Sequence, residues 1–252
     1  MTEKTVAIVL GRKGSSGIRD KNTMNILGRP AFFYPLLAAK NSKYIDRIFV
    51  STDHETIIEG SKKMELSIIT RPASLCSNEA LFEDALVHAY FKIKERIGEQ
   101  PKYVVVLMCN AVTIDSKLVD TAIEMLENDF RADSAVTVSL YNMYSPLRAR
   151  KSDENGYLIP FVPLETFGDP KTMTCDRVSQ GDAIFADMSH SVCRSKCLEN
   201  IENGLLPQRW MGQKILPVFN NHGCDIDELW QVDMSIRWLI DRGFSDKITP
   251  YD

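Results

Sequence analysis

The chain predicts an α/β fold built on a doubly wound, mostly parallel sheet, and three observations predict it. Short runs such as Thr5–Leu10 (TVAIVL) and Tyr103–Met108 (YVVVLM) are apolar along their whole length, as in strands covered on both faces. Amphipathic stretches of helical period alternate with them in a β-α-β-α rhythm, which right-handed crossovers wind into a parallel sheet. The first strand runs straight into a loop rich in glycine and cations, the place where such sheets hold ligands.

Each element follows from its local pattern. Thr5–Leu10 opens as a buried strand. Pro30–Lys40 (PAFFYPLLAAK) starts on proline and stays apolar at helical spacing, with Pro35 expected in its first turns. Arg47–Thr52 reads as a strand, Glu55–Lys63 as a helix and Leu66–Thr70 as a third strand. Leu81–Ile97 is a long helix with Leu81, Ala85, Leu86, Ala89, Ile93 and Ile97 on one face. Tyr103–Met108 follows as a strand, then a helix over Ser116–Asn128 with Ser116 as its expected cap. Beyond residue 130 the rhythm changes. Ser134–Tyr141 alternates like a strand, and Ser152–Gly156 (SDENG) is a turn from which Tyr157–Val162 returns as a hairpin arm. Pro163–Gln180 has weak periodicity and reads as a loop excursion. Ala183–Asp187 and Lys214–Phe219 read as strands, and Glu228–Asp241 as the last helix. Residues 1–252 are expected to form one domain, with an excursion near 141–180.

Composition bounds the function. The 252 residues suffice for a large core, since a chain of this size buries roughly 70–75% of its unfolded surface. With 44% hydrophobic and 25% charged residues, disorder and disulfide scaffolds are poor readings. The net charge of −4 gives no global basic field, so no nucleic acid is expected as partner and an anionic ligand needs a local cluster of cations. No apolar run approaches the ~20 residues of a membrane span, and the N-terminus lacks a signal-peptide pattern. The six cysteines form no C-x-x-C pair. Cys193 and Cys197 are expected on one helix face, and reduced thiols in a cytoplasmic protein are the expected state.

The loop Gly11-Arg12-Lys13-Gly14-Ser15-Ser16-Gly17-Ile18-Arg19-Asp20-Lys21-Asn22 carries the strongest chemical signal. Glycines let backbone N–H groups close on phosphate oxygens, and Arg12 and Lys21 can neutralise a triphosphate. The glycines stand at i, i+3 and i+6, which fits neither the dinucleotide-binding nor the P-loop spacing. A solvated basic loop is the alternative, and the position after a buried strand favours phosphate. The second signal is Asp225-Ile226-Asp227, ahead of the last helix. In an extended segment the two carboxylates point to one side, ~6–7 Å apart at their Cα atoms. Mg²⁺ suits such a pair, because it takes few protein carboxylates and bridges phosphates. Alternatively Asp227 caps the final helix, with Glu228 in its first turn; spacing alone leaves both readings open.

The motif G-R-K-G-S-S-G-I-R-D-K-N after a strand resembles the A-R-x-G-S-K-G-(I/L)-x-x-K-N signature of the CMP-sialic acid synthetase (acylneuraminate cytidylyltransferase) family. Leu27-Gly28-Arg29-Pro30, Asp46–Asp53 (DRIFVSTD), Arg71-Pro72-Ala73-Ser74-Leu75 and Asp225-Ile226-Asp227 continue the likeness, which is dense over residues 4–95 and thin afterwards. The resemblance implies a Rossmann-like nucleotidyltransferase fold and a CTP-dependent enzyme. It implies catalytic roles for Arg12, Lys21 and Asp227, and nucleotide contacts from Gly11, Arg12, Gly14, Ser15, Lys21, Asn22 and Arg71. It further implies Mg²⁺ on Asp225 and Asp227, and a homodimer formed through the 141–180 excursion. Arg148, in Pro146-Leu147-Arg148, stands where the family has a Pro-Leu-Lys-like element. It is expected to meet the carboxylate of a small anionic acceptor, with a plain surface arginine as the alternative.

Members acting on sialic acid carry Q-P-T-S-P-L-R after the fourth strand, where this chain has Cys109–Asp115 (CNAVTID). The implied acceptor is therefore an ulosonic or nonulosonic acid, sialic-acid-like or Kdo-like. A phosphonate acceptor is the nearest alternative, and a nucleotide-binding homologue without catalysis is the alternative of another class. A sugar-1-phosphate nucleotidyltransferase would predict a different glycine loop. Of the four histidines, His88 reads as structural and His54 as a candidate for the cleft.

Overall fold

The computed structural model describes residues 4–14, 17–176, 180–246 and 248–252. The elements in order are β1 (Thr5–Gly11), β2 (Asn25–Ile26), β3 (Arg29–Pro30), α1 (Phe33–Lys40), β4 (Arg47–Thr52), α2 (Glu55–Lys63), β5 (Ser67–Thr70), α3 (Phe82–Ile97) and β6 (Tyr103–Met108). There follow α4 (Ser116–Asn128), β7 (Ser134–Leu140), β8 (Arg150–Ser152), β9 (Leu158–Pro160), β10 (Ile184–Arg194), α5 (Ser195–Glu199), β11 (Ile215–Phe219) and α6 (Leu229–Asp241).

Seven strands form the main sheet in the order β11-β7-β10-β6-β1-β4-β5. All neighbours are parallel except β10, which runs antiparallel to both β6 and β7. From β1 the chain winds outward through β4 to β5, then crosses back to β6 on the other side of β1. The carboxyl end of β1 is therefore the switch point where an open α/β sheet leaves a crevice. Strand periodicity sorts β1 between two cores: Ala7 and Val9 pack with α1, α2 and α4, while Val6, Ile8 and Leu10 pack with α3 and α5. A third apolar cluster joins Tyr34 of α1 to Trp238 and Leu239 of α6.

The helices carry complementary termini. α3 has Glu83 and Asp84 in its first turn, Lys94 and Arg96 in its last, and a left-handed Gly98 beyond. α4 begins at Ser116, but the cap is Asp115, whose carboxylate accepts the Leu118 N–H at 2.8 Å; its extended backbone frees the side chain to reach that donor. α6 is capped by Glu228 and Gln231 in a reciprocal box. Asp227 is thus not the cap of the last helix.

Three further expectations need correction. The strand expected at Ala183–Asp187 runs on to Arg194, with an irregularity between Ala186 and Ser191 and Met188 at φ 61°; that kink breaks the alternation a sequence reading follows. Cys193 consequently lies on β10 and Cys197 on α5, not on one helix face. The 30–40 helix starts only at Phe33, because Arg29 and Pro30 pair with β2 in a tight hairpin. All six cysteines are free. Among the described residues no helix is long and apolar enough to cross a membrane. The excursion holds the β8–β9 hairpin and short 3₁₀ turns, with Met143, Tyr157, Leu158 and Phe161 exposed.

Candidate functional site

A cleft of about 330 Å³ opens at the switch point, and eight of the expected residues line it: Gly11, Arg12, Gly14, Lys21, Asn22, Arg71, Asp225 and Asp227. Ser15 lies outside the described residues.

The glycine loop is held from below and from one side. At Gly11 a Cβ would stand 2.5 Å from the Cys109 sulfur and 2.8 Å from its Cβ, so β1 passes β6 too closely for any side chain there. Gly14 takes φ +74° with open space around it, a left-handed turn that glycine adopts without strain. Asp53, at the end of the S-T-D motif, accepts the Lys13 N–H at 2.7 Å. Asn22 is buried, and its amide donates to the Arg12 carbonyl at 3.0 Å, closing the loop into a ring.

The cations are held differently. Arg12 bonds the Asn78 side chain and the Ser77 carbonyl, both neutral. Arg71 donates from Nε to the Ser51 hydroxyl at 2.9 Å and from Nη2 to the Ser51 carbonyl at 2.8 Å. Burial lowers the Arg71 pKa, but a guanidinium stays charged in proteins. Lys21 bonds the Asp227 carboxylate.

The acidic pair is positioned by the loop after β6. The Ile226 N–H donates to the Asn110 carbonyl at 3.0 Å, and the Asn110 amide donates to the Ile226 carbonyl at 3.1 Å. Two residues back, the Thr113 hydroxyl accepts the Cys224 N–H and donates to the Cys224 carbonyl, both at 2.8 Å. These two rungs bury Cys224 and Ile226 and turn the alternate residues, Asp225 and Asp227, into the cleft. The Asn110 amide also donates to Asp225 at 3.2 Å. Burial first, and then the neighbouring Asp227 charge, raises the Asp225 pKa; Lys21 and Asn110 oppose the rise. Two carboxylates on one face, one of them oriented by an amide, suit Mg²⁺, which needs few protein ligands.

Sequence reasoning missed Asn110 and the apolar wall of Leu75, Leu81, Phe82 and Met108. Asn110 lies just past the carboxyl end of β6, and that position was its only signal. Leu81 was read as core; it precedes α3 instead and is 62% exposed. Arg148 does not reach this cleft. It lines a separate cavity of about 350 Å³ with Tyr141, Tyr144, His222 and Trp230, and its Nε donates to Gln180 at 2.9 Å. The Tyr141 hydroxyl donates to the Gly223 carbonyl at 2.6 Å, so this cavity backs onto the segment that carries the acidic pair.

Known proteins resemble this chain in sequence and in fold. Over 159 residues, 63% of this chain and 30% of the relative, the chain is 26% identical to the pseudaminic acid cytidylyltransferase and UDP-2,4-diacetamido-2,4,6-trideoxy-beta-L-altropyranose hydrolase of Helicobacter pylori. Over 89 residues, 35% of this chain and 21% of the relative, it is 29% identical to the N-acylneuraminate cytidylyltransferase of Escherichia coli. The chain thus spans under a third of the length of these curated relatives. In fold it is similar to a CMP:2-keto-3-deoxy-manno-octonic acid synthetase complexed with CTP, at a TM-score of 0.68 and 14% identity over 94% of this chain and 99% of the other. It is also similar to the 4-diphosphocytidyl-2C-methyl-D-erythritol synthase of Anaerococcus prevotii, at a TM-score of 0.61 and 14% identity over 94% and 96%. A sequence model described as cytidylyltransferase matches residues 6–153, more than half of the chain, and the chain therefore belongs to the cytidylyltransferase family.

Proposed function

We propose that the protein transfers CMP from CTP to a small ulosonic or nonulosonic acid and releases pyrophosphate. One observation carries the reading: the glycine loop with Arg12 and Lys21, the buried Arg71, and the carboxylates of Asp225 and Asp227 all face one cleft at the switch point. Family membership and the names of the relatives support it.

In the proposed reaction an acceptor hydroxyl oxygen attacks the α-phosphorus of CTP. The bond from that phosphorus to the bridging oxygen breaks, pyrophosphate leaves, and the hydroxyl proton passes to solvent. Such transfer needs positioning and charge stabilisation rather than a protein nucleophile. Arg12 and Lys21 offset the charge that grows on the leaving pyrophosphate. Arg71, fixed by Ser51, presents its remaining donors to the nucleotide. Asp225 and Asp227 would hold Mg²⁺. The ion would supply positive charge to the phosphates and make the attacking hydroxyl more acidic.

Arg148, with Tyr141, Tyr144 and Trp230, lines a cavity separate from this cleft, so the acceptor's carboxylate, carried one bond from its reacting carbon, is not assigned to it. The exposed apolar residues of the excursion (Met143, Tyr157, Leu158 and Phe161) make a homodimer the proposed assembly. The unpaired thiols suit a cytoplasmic setting. A screen of sugar acids and phosphonates with CTP and Mg²⁺, read by pyrophosphate release, tests the whole. Turnover with an ulosonic or nonulosonic acid is expected. CTP binding with no pyrophosphate from any acid would refute it in favour of a binding protein.

A further inference from the structure

We propose that the Lys21–Asp227 ion pair makes the cleft selective for the metal–nucleotide complex over either free nucleotide or free metal. The inference rests on the nucleotide-site reading above and adds a property of the site. Three cations line the cleft among the described residues, and two of them are held by neutral groups: Arg12 by Asn78 and Ser77, Arg71 by Ser51. Only Lys21 is bonded to a carboxylate. On the acidic side, Asp225 is held by the neutral Asn110 amide, and Asp227 alone is bonded to a cation. The two halves of the site are thus joined by charge at this one contact.

The pair is asymmetric. The Lys21 side chain is 16% exposed and that of Asp227 59%. A largely buried ammonium that loses its carboxylate keeps its desolvation cost and loses its compensation. A polyphosphate arriving alone at Lys21 must displace Asp227 and leave that carboxylate facing phosphate. A divalent cation arriving alone at Asp227 must leave the Lys21 ammonium beside a dication. When both arrive together, phosphate replaces Asp227 on Lys21 and the metal replaces Lys21 on Asp227. Each ligand therefore lowers the cost of the other, and the coupling is the same seen from either side.

Substitution of either partner should then improve binding of the wrong ligand, an outcome that a purely anchoring role does not give. The full-length protein, Asp227→Asn and Lys21→Met are titrated by calorimetry with CTP in excess EDTA, with Mn²⁺ alone and with both. Methionine keeps the apolar stem of Lys21 in place. Asp227→Asn is expected to bind metal-free CTP about tenfold more tightly than wild type, and Lys21→Met to bind Mn²⁺ alone several-fold more tightly. Both variants should lose most of the wild-type gain between CTP alone and CTP with Mn²⁺. Either gain failing to appear overturns the inference. If a variant does not fold, Asp227→Ser and Lys21→Gln carry the same arms. Wild-type protein that binds Mn·CTP while the gains are missing sinks this inference alone. Wild-type protein that binds no Mn·CTP sinks the nucleotide-site reading with it.

Discussion

Replacing Gly11 by alanine tests how the glycine-loop end of β1 is built. The new methyl would stand 2.5 Å from the Cys109 sulfur, 2.8 Å from its Cβ and 3.3 Å from Ile57 Cδ1. The sulfur contact is about 1 Å short of an ordinary van der Waals separation. Cys109 has no room to yield: it is fully buried, and its N–H donates to the Leu10 carbonyl at 2.9 Å. The strands must therefore part, at a cost of about 2–3 kcal/mol by analogy with overpacked cores. For a chain of this size that lowers Tm by roughly 5–10 °C. A double-mutant cycle gives the decisive measurement. Cys109→Gly removes both offending atoms, so Gly11→Ala in that background should cost under ~0.5 kcal/mol, a coupling of about 2 kcal/mol. Urea unfolding of the four proteins at pH 7.5 measures it. If Gly11→Ala alone stays within ~0.5 kcal/mol of wild type, the close approach of β1 to β6 is wrong.

Lys21→Ala should lower turnover with CTP and acceptor by about 10²–10³ or more; a steady-state assay in which it keeps over a third of wild-type turnover would remove the role given to it. Asn110→Leu leaves Asp225 without its amide donor and Ile226 without one backbone partner, so the Mg²⁺ concentration for half-maximal activity should rise at least several-fold, whereas Asn110→Asp should not restore it. An unchanged magnesium requirement in Asn110→Leu would show that Asn110 does not orient Asp225. His190 is buried with both ring nitrogens unpartnered, and burial lowers its pKa from 6.5 to about 3. The unfolded chain binds the extra proton between those values, so this stabilisation is complete above pH ~7 and is lost as pH falls toward 3. Between pH 7 and pH 5 wild type should lose about 2 kcal/mol more than His190→Leu in urea unfolding; equal losses would show that the imidazole is solvated.

The wound half of the fold was legible because it obeys local rules. β4, α2 and β6 end where their patterns predict, since each apolar run there is bounded by turn or cap chemistry. β10 was legible only in its first residues, because Met188 steps into the left-handed region and shifts the register, and a period of two cannot be followed across such a step. The cleft was legible where ligand chemistry leaves residue types behind: glycines, Arg12, Lys21 and the two aspartates. Its apolar wall was not. Leu81 and Phe82 have the helical spacing of core residues, and only the tertiary position of the α3 start turns them toward the crevice. Arg148 was legible as a cation near an expected element, but its distance from the glycine loop depends on the path of the excursion, which no local pattern encodes.

Lys21 and Asp227 meet across 206 positions of sequence. During synthesis the glycine loop leaves the ribosome before β4, while the acidic segment follows only after all seven strands of the sheet. Between those two points a nascent chain carries the glycine loop without the carboxylates that face it. The cleft is complete only when the segment around residue 225 docks against Asn110 and Thr113.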